Sequence, residues 1–157
     1  GVDRERHVAL PREVHFHAMD LDRAPIPFGD GSFQLVVCAH VLEHLHRPGR
    51  VLDEMRRLLA PNGHLYVELP SERSLRAPVA FHDDPTHVWI PHSPQALGER
   101  LERHGFTVLH TGRARSPVRW LTAVPRLVGG LITNNRHAVA ESAEHLGGLA
   151  SYAIASP

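Results

Sequence analysis

The stretch that decides the fold runs from Ile26 to Pro70 and reads IPFGDGSFQLVVCAHVLEHLHRPGRVLDEMRRLLAPNGHLYVELP. Within it, Phe33–Cys38 is almost continuously apolar, which is typical of a strand buried on both faces. Further along, apolar residues recur at the spacing of one helical face, at Val51, Leu52, Met55, Leu58 and Leu59. This spacing predicts an amphipathic helix.

The predicted helix ends at Pro61-Asn62-Gly63, where turn residues interrupt the pattern. From Leu65 to Leu69, apolar and polar residues then alternate, which predicts a strand. A strand, a helix and a strand in this order predict a crossover between two parallel strands.

Shorter elements are predicted on both sides of this unit. Val14–Met19 alternates like a short strand and leads into the acidic turn Asp20–Asp22. Downstream, Ser93 is expected to cap a helix that begins at Pro94 and ends at Gly105. Two more strands are predicted at the following ranges: 106–109 and 149–155. Alternating strands and helices indicate one α/β layer structure.

Composition narrows the function classes. The 157 residues carry 17 Lys and Arg against 17 Asp and Glu, so no excess of positive charge favours nucleic acid as a partner. The single cysteine, Cys38, cannot form an intrachain disulfide, and no signal peptide or transmembrane run is visible. These features predict a cytoplasmic protein. Because the sequence starts abruptly at Gly1-Val2-Asp3, we interpret it as a fragment.

The strand order predicts where chemistry would lie, because parallel sheets bind ligands beyond the carboxyl ends of their strands. If Gly1-Val2 ends a strand, four loops leave one edge of the sheet, beginning at the following positions: Asp3, Asp20, Cys38 and Pro70. At that edge Asp3 could accept hydrogen bonds from the hydroxyls of a ribose, or it is merely an exposed acid. Asp20 could accept from an adenine amino group, or it shapes its own turn.

The motifs on this scaffold resemble a known family. The runs IPFGDGSFQLVVC, VLEHL and LLAPNGHL are similar to the central block of class I S-adenosylmethionine-dependent methyltransferases, with its "PF-D-SFD-LV", "VLEH" and "L-PGG-L" segments. Gln34 stands where the family usually has Asp, and Asn62 where it often has Gly. A second block, FHDDPTHV followed by the segment from Ser93 to Phe106, resembles small-molecule methyltransferases. The resemblance covers most of Asp3–Val108.

The resemblance implies an α/β fold, a Rossmann-like three-layer sandwich with a mostly parallel sheet. This chain would lack the first strand and the glycine-rich loop, because the printed residues contain no Gly-x-Gly-x-x-Gly run. Residues 1–157 would form one partial methyltransferase domain, with 113–148 a lid or substrate-region insertion before the last strand. The implied cofactor is S-adenosylmethionine, contacted by these residues: Asp3, Asp20, Leu21, Cys38 and Ala39.

On the acceptor side, the resemblance implies roles for His44 and for the pair Asp84 and His87. Methyl transfer depends mainly on positioning, and a histidine titrating near neutral pH suits the removal of an acceptor proton. His87 is therefore the predicted base, oriented by Asp84. Alternatively, Asp84–His87 only closes a loop through side-chain to backbone hydrogen bonds. The predicted acceptor is a small molecule, and no metal is expected.

Three other functions share some of these residues. His40–His44 matches the H-x-x-E-H string of inverted zinc peptidases, but Pro48-Gly49 follows too soon for a long peptidase helix. A nicotinamide-dependent oxidoreductase would share the sheet and the role of Asp3, but not the VLEH and DPTH segments. The missing glycine loop also fits a non-catalytic remnant that serves as a binding module.

The sequence does not decide the role of one apolar stripe. Residues 117–132 keep helical spacing and are flanked by arginines, which fits a helix docked on the sheet, a lid, or an interfacial contact with a lipid-like substrate. The sequence predicts neither the acceptor nor the oligomeric state.

Overall fold

The computed structural model describes residues 1–6, 8, 11–72, 85–88, 93–114 and 150–157. The elements are β1 (Val2–Asp3), β2 (His17–Ala18), β3 (Phe33–Ala39), a 3-10 helix (Leu42–His44), α1 (Pro48–Leu58), β4 (Leu59–Pro70), α2 (Pro94–Arg103), β5 (Thr107–Arg113) and β6 (Ala150–Ser156). No helix within these ranges is long and apolar enough to cross a membrane.

The strands form two sheets. β1 and β2 pair in parallel as a two-stranded sheet, and the other four strands follow the order β3-β4-β6-β5. β3 and β4 are parallel, whereas β6 runs antiparallel to both of its neighbours. The predicted α/β architecture is confirmed, with a sheet that mixes parallel and antiparallel pairs.

The predicted crossover is confirmed as β3, α1 and β4. Helix α1 starts at Pro48, which occupies its first position, where the missing amide hydrogen of proline costs nothing. Its buried residues are Pro48, Val51, Leu52, Met55 and Leu58. Leu52 is fully buried, as are Leu65 and Val67 of β4, so helix and strand belong to one apolar core.

The end of α1 differs from the prediction. β4 begins at Leu59 and runs through Pro61-Asn62-Gly63, where the sequence predicted a turn. The register moves from Phe33↔Leu59 to Leu35↔His64, so the extra residues form an irregularity within the strand. A Cβ at Gly63 would lie 3.0 Å from the Phe33 carbonyl oxygen, so this close approach requires glycine.

β3 is not buried on both faces, contrary to the prediction. Cys38 is its only buried residue, while the side chains of Leu35 and Val37 are 58% and 60% exposed. Leu35 and Val37 pair with His64 and Tyr66 of β4, on the face of the sheet opposite to the buried residues of that strand. β3 is also an edge strand whose one partner among the described strands is β4. An apolar sequence therefore lies at an open edge, where unpaired backbone groups remain available.

An apolar groove of about 300 Å³ separates β1 from β3. Gly1 and Val2 line it on one side, and Leu35, Val36 and Val37 line it on the other. The edge of β3 thus faces the edge of the small sheet without a hydrogen-bonded strand between them in the described part of the chain.

The second helix follows the prediction closely. The Ser93 side chain accepts a hydrogen bond from the Ala96 amide, and Gly105 follows the helix with a φ of 79°. The Phe106 amide donates to the Leu101 carbonyl and the Gly105 amide to the Glu102 carbonyl, the two bonds of a Schellman ending. The strands predicted at 14–19, 106–109 and 149–155 are observed at 17–18, 107–113 and 150–156.

Candidate functional site

The four loops that the strand order predicts do meet at one cleft of about 570 Å³. This volume lies within the range of about 300–1,000 Å³ that is common for small-molecule sites. The lining residues follow β1 (Asp3, Arg4), β2 (Met19, Leu21), β3 (His40, Val41, His44, Leu45, His46) and β4 (Pro85, Thr86, Val88). The cleft is therefore built by loops at the carboxyl ends of parallel strands.

His40 begins the loop after β3 in a left-handed conformation, with a φ of 53°. Its amide donates to the Glu68 carbonyl oxygen at 2.9 Å. Its ring lies between two carboxylates, with Nδ1 3.2 Å from Oε1 of Glu43 and Nε2 3.4 Å from Oε1 of Glu68. These contacts hold a backbone conformation that non-glycine residues rarely adopt.

Glu43 lies in the 3-10 helix and is 98% buried, with 2% of its surface exposed. Its Oε2 atom is buried and has no hydrogen-bond partner among the described residues. Leaving a carboxylate oxygen unpaired in the interior is costly, so the position of Glu43 calls for a functional explanation.

The segment 85–88 closes over this acid through three contacts. The Val88 amide donates to the Glu43 carbonyl oxygen at 2.9 Å. Nδ1 of His44 lies 2.8 Å from the Thr86 hydroxyl oxygen. The rings of His44 and His87 lie 4.7 Å apart, centroid to centroid. Backbone and side chains thus bring the loop after β4 against the loop after β3.

Asp22 fixes the far side of the β3 loop. Its carboxylate accepts hydrogen bonds from the amides of His46, at 3.1 Å, and Arg47, at 2.9 Å, while the Arg50 guanidinium donates to its carbonyl oxygen. Desolvation opposes ionisation of this acid, but these amides and the His46 ring outweigh it and lower the pKa of Asp22. The turn after β2 and the start of α1 are joined at this point.

Glu54 and Arg57 on α1 hold the proline-rich loop. Arg57 donates to the carbonyl oxygens of Ile26 and Phe28, and Glu54 accepts from the Ile26 amide at 3.0 Å. The hydrogen bonds from Arg57, joined by that from Ile26, lower the pKa of Glu54 despite its partial burial. This clamp places the entry to β3 without contributing to the cleft itself.

Asp3, Leu21 and His44 line the cleft, and the ring of His87 packs on that of His44. Asp3 is the last residue of β1, and its Oδ1 accepts a hydrogen bond from the Arg4 amide. Asp84, the predicted orienting partner of His87, lies outside the described residues. So does the region 115–148 of the predicted lid.

Three other predicted cofactor residues do not line the cleft. The Asp20 carboxylate accepts from the Asp22 amide at 2.9 Å and pairs with Arg23 at 3.4 Å. It also pairs, at 3.7 Å, with Arg4, which lines the cleft. Cys38 is buried at the apolar groove, and burial and the nearby Glu43 charge raise its pKa to about 12. Ala39 is the exposed last residue of β3.

The sequence reasoning did not propose His40, Thr86 or Val88 as cofactor or acceptor contacts. His40 carried a usable signal, because it directly follows the apolar run of β3 and so falls at the ligand edge. Thr86 and Val88 belong to the FHDDPTHV block that resembles the family, but the motif does not reveal their partners, which lie more than forty positions earlier in the chain.

The peptidase arrangement of His40 and His44 is not present. In that arrangement both histidines lie one turn apart on a long helix. Here His40 precedes a three-residue 3-10 helix and contacts Glu43, and α1 begins only at Pro48. His40 and His44 therefore do not share a helical face.

Known proteins that resemble this chain are methyltransferases or have the methyltransferase fold. A family model described as a methyltransferase domain matches residues 1–111. The human thiol S-methyltransferase TMT1B is 28% identical over 132 residues, which covers 79% of this chain and 52% of the relative. The chain spans between 24% and 52% of the length of the curated relatives it matches.

Solved structures share the fold. A SAM-dependent methyltransferase from Archaeoglobus fulgidus superposes with a TM-score of 0.60 at 19% identity, covering 100% of this chain and 75% of that one. The 1,6-didemethyltoxoflavin-N1-methyltransferase of Burkholderia thailandensis, solved with 1,6-didemethyltoxoflavin and S-adenosylhomocysteine, gives 0.54 at 15% identity, covering 89% and 49%. At such identities the likeness shows the Rossmann-like α/β fold.

Proposed function

Because the chain belongs to the methyltransferase domain family, we propose that it serves methyl transfer from S-adenosylmethionine to a small-molecule acceptor. The observation that supports this most directly is the cleft, where loops after four strands meet around the carboxylate of Asp3. When bound, the cofactor supplies a methyl group on a sulfonium, which is reactive enough to need no covalent help from the protein.

The residues present fit the nucleoside part of such a cofactor. Asp3 ends a parallel strand at the cleft, where a carboxylate can accept hydrogen bonds from both ribose hydroxyls. Leu21 and Val41 offer apolar surface for a base. Asp20 would act indirectly, by fixing the turn that presents Leu21. Cys38 and Ala39, which do not line the cleft, would act by placing the next residue, His40.

The apolar groove supports a further part of this proposal. An additional parallel strand between β1 and β3 would pair with both open edges and fill the apolar groove that Leu35 and Val37 line. A loop leaving that strand would reach the same edge of the sheet as the other four. We place the methionine part of the cofactor beside that loop.

The acceptor would lie beside His44 and His87. Two imidazoles in contact at one side of the cleft can orient an acceptor and take up its proton, and His87 is the first candidate for that base. Among small molecules, a thiol is the acceptor class to test first, because the human relative is named for thiol methylation.

A second function is a binding module without catalysis. It is favoured by the same groove, because an exposed apolar edge strand can pair with a strand of another protein. The two functions differ in their ligand. A methyltransferase binds S-adenosylhomocysteine, the product of the cofactor, whereas a module that acts only through β3 would not.

Calorimetric titration with S-adenosylhomocysteine tests the proposal, on the chain as printed and on any longer product of the same gene. We expect binding by the longer product and at least about tenfold weaker binding after Asp3→Ala, which removes a charge-assisted bond. Glu5→Ala, at an exposed acid two residues away, is the matched control. Absence of binding by both chains would exclude the methyltransferase proposal.

A second pair of variants separates cofactor and acceptor roles. His87→Ala is expected to lower turnover of a thiol or hydroxyl acceptor much more than affinity for S-adenosylhomocysteine. Asp20→Ala is expected to show the opposite pattern, because it loosens the turn beside Leu21. If His87→Ala mainly weakens S-adenosylhomocysteine binding and Asp20→Ala mainly lowers turnover, the assignment of an acceptor side and a cofactor side to the cleft is wrong.

A further inference from the structure

We propose that Glu43, His44 and His87 bind a divalent transition-metal ion at the acceptor side of the cleft. Each residue offers one ligand atom, and the three atoms lie within 4.8 Å of one another. His44 follows Glu43 in the 3-10 helix, whereas His87 comes from the loop after β4. Three ligands from two separate loops thus point to one position.

The spacing suits a metal after a small adjustment. Zinc lies about 2.0–2.2 Å from imidazole nitrogen and carboxylate oxygen, which places its ligand atoms roughly 3–4 Å apart. Metal binding would draw the three atoms closer together, which requires small shifts of the two half-buried histidines. The carboxylate is the fixed member of the set, since Glu43 is 98% buried.

The buried acid is the second, independent observation. Oε1 of Glu43 lies beside the His40 ring, whereas Oε2 is buried without a hydrogen-bond partner among the described residues. An ionised carboxylate in such a place needs a cation or further donors. A metal bound at Oε2 would supply the missing partner.

The surroundings of His44 are those of a metal ligand. Metal-binding histidines commonly use one ring nitrogen for the ion and the other for an oriented hydrogen bond. Nδ1 of His44 lies 2.8 Å from the Thr86 hydroxyl, which leaves Nε2 as its ligand atom. The hydrogen bond from the Val88 amide to the Glu43 carbonyl holds the two loops together at this site.

The donor set indicates the class of ion. Two imidazoles and one carboxylate suit Zn²⁺ and its first-row neighbours better than Mg²⁺ or Ca²⁺, which prefer oxygen. Three protein ligands leave a coordination position open, as in catalytic zinc sites. His44 lines the cleft, so an acceptor in the cleft would lie next to the metal.

A role of the metal in methyl transfer rests on the proposed function, whereas metal binding by these three residues does not. A hydroxyl or thiol bound at the open position loses its proton to solvent more readily, and the electron pair left on oxygen or sulfur bonds to the metal. His87 is then a ligand rather than the base. The acceptor would then be held in the cleft in its deprotonated form, with a further lone pair free to bond to the methyl group.

Titration of chelator-treated protein with Zn²⁺ tests the site, with calorimetry for stoichiometry and Co²⁺ absorption for ligand geometry. We expect one equivalent to bind, with at least about tenfold weaker affinity for His44→Ala and His87→Ala, and a similar loss for the orienting variant Thr86→Val. His64→Ala, at an exposed histidine of β4, is the matched control.

Glu43→Gln should also weaken binding, but it alters a buried residue and its circular dichroism must match that of the parent protein. The proposal is overturned if the His44 and His87 variants bind Zn²⁺ as tightly as the parent and His64→Ala. Because the titration contains no S-adenosylhomocysteine, its result is independent of whether the cofactor proposal holds.

Discussion

Nδ1 of His40 lies 3.2 Å from Oε1 of Glu43, which links a residue with a left-handed backbone to a fully enclosed acid. The same ring reaches Glu68 on β4, so the loop after β3 is fixed from two directions. Through Glu68 the contact extends to the Tyr66 hydroxyl, which donates to that carboxylate. The wall of the cleft is therefore a hydrogen-bonded unit.

The backbone strain at His40 predicts a difference between two variants. Alanine and glycine both remove the ring, but only glycine adopts a φ of 53° without steric cost. His40→Gly should therefore have a higher free energy of unfolding than His40→Ala, by about 1 kcal/mol. Urea unfolding of both variants measures this difference, and an alanine variant at least as stable as the glycine variant would contradict it.

Asp22 predicts an acid-dependent loss of stability. Asp22→Ala removes two hydrogen bonds from backbone amides and should lower the free energy of unfolding at pH 7 by about 2 kcal/mol. Because folding lowers the pKa of Asp22 below its ordinary 3.8, the stabilisation is complete above that value and is lost as the pH falls through the folded pKa.

The measurement for Asp22 is denaturant unfolding of parent and variant between pH 7 and pH 2. The difference between them should shrink toward the acid end. Glu99→Ala, at an exposed position of α2, serves as a control that should leave the pH dependence of the parent unchanged. If the difference in the free energy of unfolding between parent and variant is the same at every pH, the negative charge of Asp22 does not stabilise the fold.

Cys38 is predicted to be inert in the folded protein. Burial and the charge of Glu43 raise its pKa to about 12 from 9.0, which lowers the thiolate fraction at neutral pH by roughly a thousandfold. Alkylation by iodoacetamide at pH 8 should be at least about a hundredfold slower in buffer than in urea. Mass spectrometry gives both rates, with Cys38→Ser as the unlabelled reference.

The same raised pKa has a consequence for stability at high pH. Above pH 9.0 the thiol of the unfolded chain ionises, and this stabilises the unfolded state. In the folded chain the thiol does not ionise until about pH 12. Stability should therefore fall as the pH rises through this window, and Cys38→Ser should show less of that fall.

Gly105 is predicted to resist substitution. Its φ is 79°, and a Cβ there would lie 3.1 Å from Cζ of Arg56, whose Nε donates to the Gly105 carbonyl oxygen. Gly105→Ala should cost about 1–2 kcal/mol in thermal or urea unfolding. Gly105→Asn should cost less because asparagine tolerates this conformation, and equal losses would argue against a backbone cause.

Local patterns in the sequence were sufficient for the main elements. The apolar periodicity of α1 and the strand alternation around Leu65 predicted the crossover, and Ser93, Pro94 and Gly105 predicted both ends of α2. These signals are short-range, because capping and amphipathic spacing depend on residues within one or two turns. Together with the family motifs, they also predicted that four loops would meet at one edge.

Only the tertiary structure decided which residues line that edge and which do not. The sequence of β3 reads as a buried strand, but Leu35 and Val37 lie on the face of the sheet away from the buried residues of β4 and are exposed. The cofactor role of Asp20 stays a prediction, because its carboxylate accepts from the Asp22 amide and also pairs with Arg4 of the cleft. The exposure of Leu35 and Val37 is not encoded within a few residues, because it depends on which face of the sheet the rest of the chain covers.

At the site, too, the sequence and the tertiary structure determine different things. The sequence supplied Glu43 and His44 as neighbours in a family motif, and His87 as a separate candidate base. Their meeting depends on the Thr86 and Val88 contacts across more than forty residues. The sequence by itself thus determined the α/β scaffold and its ligand edge, whereas long-range packing decided the chemistry that this edge can hold, because side-chain geometry forms only when the loops close on one another.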